Sequence, residues 1–217
     1  MFFLAIVTFV LVLVEPMLLN LFNMYGFGMA IALRAICIVI WSFGAMGIIK
    51  SAKKDCNFDV MEKAPAPAAV QWVCASIITA AAAAYLIWNK FYIIESNIIG
   101  LTSLKNIVAF SSMILLNAFK AIVLTIFVSL VQKGSALLFK GGKWIPLGGI
   151  ALGLIWVAML LLSSVELMGT EIGFDWTLLI YQFAYGLVYG LIFVAIGNKA
   201  RYAFPFALLI SLLIFLS

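Results

Sequence analysis

Six long apolar runs, at residues 2–22, 28–49, 69–89, 106–132, 145–167 and 176–198, set the pattern of the chain. Each matches the length of about 20 apolar residues that a helix needs to cross the hydrocarbon core of a bilayer. A seventh apolar stretch, residues 203–217, opens on Phe204-Pro205. As a helix it covers only about 22 Å, which predicts either a short seventh span or a re-entrant element. The pattern therefore predicts an all-α, polytopic transmembrane helix bundle of seven spans, six if residues 203–217 are re-entrant, in a single membrane domain covering residues 1–217. The first run starts Met1-Phe2-Phe3 without a basic leader and has no Ala-x-Ala site after it, so it reads as a retained span and not a cleaved signal.

Polar positions divide the runs. Residues 50–68 form the one extended hydrophilic stretch, a loop between spans 2 and 3 that ends in Ala-Pro-Ala-Pro, a sequence that favours extended backbone. Residues 91–104, semi-apolar and interrupted by Gly100, are expected at the membrane interface. Charge then orients the bundle. With the N-terminus inside, the inner loops hold Lys50, Lys53, Lys54, Lys63, Lys133, Lys140, Lys143, Lys199 and Arg201, against Lys90 and Lys105 outside. Glu95, Glu171 and Asp175 fall on the outer side. The positive-inside bias predicts a cytoplasmic N-terminus, a cytoplasmic 50–68 loop and, for seven spans, an outer C-terminus. Trp72, Trp88, Trp144 and Trp176 lie near span ends, as an aromatic belt requires.

Composition agrees and removes alternatives. Of 217 residues, 67% are hydrophobic and 10% charged, against about 45–50% and 25% in soluble domains. A globule in water could not bury so much apolar surface. The chain has no histidine, so sites built on imidazole are not available, and it carries no P-loop or dinucleotide motif. Cys37, Cys56 and Cys74 are widely spaced and read as two helix residues and one loop thiol. An enzyme is the least supported class, and no cofactor, metal or nucleic-acid partner is expected; the partners implied are lipid and other membrane chains or further copies of this one.

A charge in hydrocarbon costs at least about 2.5–3.5 kcal/mol, which singles out Glu15, Arg34 and Lys120. Glu15 and Arg34 lie ten and nine residues either side of a turn centred near Tyr25. An antiparallel hairpin brings them to one depth, which predicts an ion pair. Pro16 adds a free acceptor there, because it cannot donate to the carbonyl of Val12. The level could be a binding site or a structural lock on the hairpin. Lys120 sits mid-span with Asn117 on the same face and no acid in its own span. Its counter-charge must come from another helix, with Glu15 or Glu166 as candidates, from a partner chain, from a bound anion, or from its own deprotonation.

Span 6 carries Tyr181, Tyr185 and Tyr189 at four-residue spacing with Gln182 beside them, a face that needs hydroxyl partners in protein or a polar cavity. Gly186 and Gly190 lie opposite, and Gly149 and Gly153 repeat the GxxxG spacing in span 5; both are helix-packing devices. Ala80 to Ala84 in span 3 read the same way.

Two functions fit. The first is a small transporter, permease subunit or channel in a plasma or inner membrane, using Glu15, Arg34, Asn117, Lys120 and the tyrosine face as polar groups at depth, with an anionic or zwitterionic solute matching an unpaired lysine. The second is a non-catalytic structural or assembly subunit of a larger membrane complex, with Lys120 paired to an acid on another chain.

Overall fold

In hydrocarbon a backbone has only itself to bond to, so apolar runs of this length fold as helices. A computed structural model describes residues 1–21, 27–62, 65–99, 103–139, 142–167 and 176–216. Among them are seven helices: α1 Phe2–Leu21, α2 Phe27–Cys56, α3 Ala69–Ile99, α4 Leu104–Leu138, α5 Leu147–Leu167, α6 Trp176–Ala195 and α7 Ala200–Leu216. Among the described residues, α2, α3, α4 and α6 are long and apolar enough to cross a membrane, and α1, α5 and α7 add shorter apolar helices. Residues 200–216 form one continuous helix without a reversal. The side chains of Glu95, Glu166, Glu171 and Asp175, and the turn at Tyr25, lie outside the described residues.

Two expected boundaries move. α2 runs on to Cys56, through the start of the hydrophilic stretch, and α3 runs on to Ile99, through the segment expected to break at the interface. Neither added piece contains Gly or Pro. Polarity marks the edge of the hydrocarbon; it does not stop a helix.

Specific residues do stop them. Asn57 takes the left-handed region (φ 49°) directly after α2. α6 closes in a Schellman motif: Gly197 is left-handed (φ 77°), its N–H donates to Val194 O, and the Asn198 N–H donates to Phe193 O, at 2.9 Å each. Ser103 caps α4, its side chain accepting from Asn106 N.

The basic loops share one end of the bundle. Asn198 Nδ2 donates to Lys143 O at 2.9 Å, Lys199 Nζ donates to Pro65 O at 2.6 Å, and the N-terminal ammonium lies 3.6 Å from Cys56 Sγ. Lys53 pairs with Asp59 at 2.8 Å, and this hydrogen bond holds the Asp59 carboxyl below the usual carboxylate range. Trp88 and Trp176 are 88% and 71% exposed towards the opposite end, and Trp144 is 72% exposed at the basic end. From Trp176 to Ala195 the helix rises about 28 Å, close to the thickness of a hydrocarbon core. Trp72, expected in the same belt, instead packs on Tyr202 and Phe206.

Contacts between helices define the architecture. α4, α5, α6, α3 and α7 touch in that order and close back on α4 as a ring of five, while α1 and α2 pack on each other and on the outside of α4. α3 touches only α6 and α7. Burial follows: 61% of the apolar window of α4 is buried, against 11% for α3. Lipid-facing apolar surface is the normal state of such a peripheral helix.

The α5–α6 joint is the tightest. A Cβ on Gly186 would stand 2.5 Å from Gly153 Cα, and one on Gly190 would stand 2.6 Å from Gly149 Cα. The four glycines expected to be packing residues thus interlock backbone on backbone. Beside them Gln132, 2% exposed, clasps the α4–α5 connection. Its Nε2 donates to Gly142 O and Ile145 O, at 2.8 and 2.7 Å, and its Oε1 accepts from Gly148 N at 3.0 Å.

Candidate functional site: a cavity inside the helix ring

The ring is solid at the basic end and hollow towards the other. The hollow is a cavity of about 750 Å³ with walls from all five ring helices. It runs along Ile77 to Leu86 of α3, Asn117 to Leu124 of α4, Leu178 to Val188 of α6 and Ile210 to Ile214 of α7, with Trp156 from α5. Ala81 and Ala82 face it. The alanine run expected to bring helices together instead makes room, because α3 does not touch α4 and short side chains leave the gap between them unfilled.

Five of the residues singled out in the sequence meet here: Asn117, Lys120, Tyr181, Gln182 and Tyr185 all line the cavity. The rest do not. Glu15 stands behind the wall, where its Oε2 takes a 2.8 Å ion pair from Lys120 Nζ. Arg34 faces α4, donating from Nη1 to Ser112 Oγ at 2.8 Å and to Ala109 O at 3.2 Å. The expected Glu15–Arg34 pair is therefore corrected: α1 and α2 both lie against α4, and each turns its charge to that helix instead of to its hairpin partner. Tyr189 lies beneath the cavity, 3% exposed, its hydroxyl donating to Ala207 O at 3.3 Å and sharing a 3.1 Å bond with Ser211 Oγ. This α6–α7 cross-link, with buried Ile192, Phe193, Ala203 and Ala207, floors the cavity on its basic side.

The polar groups of the lining differ in how they are spent. Lys120 and Glu15 are only 23% and 15% exposed, so the pair is largely withdrawn from solvent. The Lys120 ammonium also lies 5.5 Å from the centre of the Trp156 ring. Asn117 Nδ2 donates to Met113 O at 2.9 Å, one turn back on its own helix, which leaves its carbonyl oxygen for the cavity. Tyr85 OH donates to Tyr181 OH at 3.3 Å, and Tyr185 shares a 3.1 Å bond with Ser211. Gln182 makes no side-chain hydrogen bond among the described residues. The buried indole N–H of Trp156 has no partner.

Trp156, Ser211, Ser112 and Gln132 were not singled out from the sequence. Each is one polar atom in an apolar run, and only the tertiary contact shows what it does. Trp41 belongs with them: fully buried, it donates from Nε1 to Leu11 O at 2.7 Å, next to the carbonyl that Pro16 leaves free on α1.

Chemically the site can bind and orient; its lining carries one charged side chain, and that charge is already compensated. Compared with protein-family models, curated proteins and solved structures, the chain finds no match.

Proposed function

We propose that the chain is a seven-span integral membrane protein of a plasma or inner membrane, with its N-terminus and lysine-rich end in the cytoplasm. In this reading it is not an enzyme. It binds a small solute in the ring cavity and carries it across the bilayer as a small transporter or permease subunit. One observation carries the reading: a cavity with polar groups at mid-helix depth, hollow towards one end of the bundle and floored towards the other by the Tyr189–Ala207–Ser211 layer. A channel needs a continuous path, whereas a floored cavity suits a carrier that exposes its site to one side at a time.

The assembly-subunit reading drew on a lysine lacking an internal counter-charge. Glu15 at 2.8 Å from Lys120 removes that motive.

Two experiments test the proposal. Topology is read with a membrane-impermeant thiol reagent: a cysteine placed at Ser103 labels on intact cells, while one placed at Asn198 labels only after permeabilisation. Function is read by purifying the protein in mild detergent, weighing the complex and measuring solute uptake in proteoliposomes, with Ala82→Phe, which fills the cavity, as the inactive reference. A protein that is stable only with other chains and supports no uptake returns the choice to the assembly subunit.

A further inference from the structure

The chemistry of the lining narrows what the cavity can hold; this step rests on the reading of the cavity as a solute site. The lining carries no acid, and its one cation, Lys120, is already neutralised by Glu15 at 2.8 Å. A ligand carboxylate set against Lys120 would put a second anion beside Glu15, leaving one negative charge uncompensated away from water. A ligand cation would meet Lys120 with no carboxylate on the wall to receive it. Both cost the burial of an unpaired charge. A neutral ligand leaves the pair intact.

The unspent hydrogen-bonding groups then define its polar end. An ammonium has three N–H groups, and Glu15 is the hydrogen-bond acceptor found for Lys120. The Trp156 indole N–H, buried in the same wall, has no partner at all, and a buried unsatisfied donor asks for an acceptor. Elsewhere the wall is aliphatic and aromatic, with Ile77, Leu86, Val188, Ile210 and Ile214 set around the tyrosines.

We infer that the cavity takes an uncharged amphipath: an apolar ring or chain with a carbonyl or hydroxyl head that accepts hydrogen bonds from Trp156 and Lys120. The anionic or zwitterionic solute expected for an unpaired lysine is thereby replaced.

The test uses three probes with one apolar body and different heads: 1-acetylpyrene, 1-pyrenecarboxylate and 1-pyrenemethylammonium. Binding to the full chain in mild detergent is read by energy transfer from tryptophan to pyrene, with Ala82→Phe setting the background. The ketone binds at least about tenfold tighter than either ion at neutral pH. The affinity of the carboxylate improves as pH falls and the neutral acid forms, while that of the ketone stays flat. Trp156→Phe, which keeps a ring but loses the N–H, weakens the ketone about fivefold. Glu15→Gln frees the lysine charge and reverses the order, so that the carboxylate binds tighter than the ketone. Should Glu15→Gln not fold, the double variant Glu15→Gln/Lys120→Met, neutral throughout, keeps its preference for the ketone over both ions. A carboxylate or ammonium that binds the unaltered protein best overturns the inference and leaves the solute site standing. If no probe binds above the Ala82→Phe background, the site and the transport reading fall together.

Discussion

The two halves of α4 live in different surroundings. From Ala121 to Ser135 every side chain except Ile122 and Lys133 is buried, whereas from Leu104 to Lys120 Leu116 alone is buried among those described. The first stretch is the hub of a solid core, wrapped by α1, α2, α5 and α7. The second borders the cavity and the Glu15–Lys120 pair. One helix thus joins a region that holds the fold to a region that holds the polar chemistry. The bundle can keep charge and empty space near mid-membrane because close backbone contact and the Gln132 clasp stabilise the other end.

If that division is right, equal changes in the two halves have unequal effects. The largest is expected for Gly186→Leu, whose side chain meets the backbone of Gly153 and Gly149. It costs about 3 kcal/mol or more, seen as loss of a folded peak in detergent, while Ala81→Leu in the cavity wall stays within about 0.5 kcal/mol. Equal damage from both would erase the contrast. Next, Glu15→Gln or Lys120→Met alone strands a charge with little solvent and lowers stability by about 2–3 kcal/mol. The double variant recovers most of the loss in thermal unfolding, and additive losses would argue that the pair is not coupled.

Smaller effects follow in the same order. Leu130→Ala, in the solid half with 0% exposure, costs about 2 kcal/mol, but Leu86→Ala, already beside empty space, costs less than about 1 kcal/mol because no new void is sealed. The smallest effect belongs to Asp59 at the basic surface. Its hydrogen bond from Lys53 holds the carboxyl below the usual carboxylate range. What the contact contributes is therefore present above the ordinary carboxylate pKa and is lost as pH falls through the lowered one. Titrating Asp59 by NMR should show a depressed midpoint that rises in Lys53→Gln, with no change in the thermal midpoint at neutral pH.

Much of this was legible in the residues. Apolar run lengths gave the helices because lipid leaves the backbone no alternative. Helical spacing placed Asn117 with Lys120 and Tyr181 with Gln182 and Tyr185, and each group reaches the same cavity. The glycine pairs met as their four-residue spacing implies. What failed was azimuth: depth put Glu15 level with Arg34, but which way each helix turns depends on a third helix far along the chain. Ala80 to Ala84 misled for a related reason, since small side chains permit close packing and also permit a void, and only the neighbours decide which.

The glycine seam between α5 and α6 has a mechanical corollary. Where two backbones touch with no side chains between them, neither helix can slide or tilt alone, so α5 and α6 act as a single lever. The joints of the ring then lie on its other side, where α3 and α7 meet their neighbours through side chains. A motion that emptied the cavity towards the lysine-rich end would swing α3 and α7 past a fixed α5–α6 strut. The latch such a motion must first release is the bond from Tyr189 to Ala207.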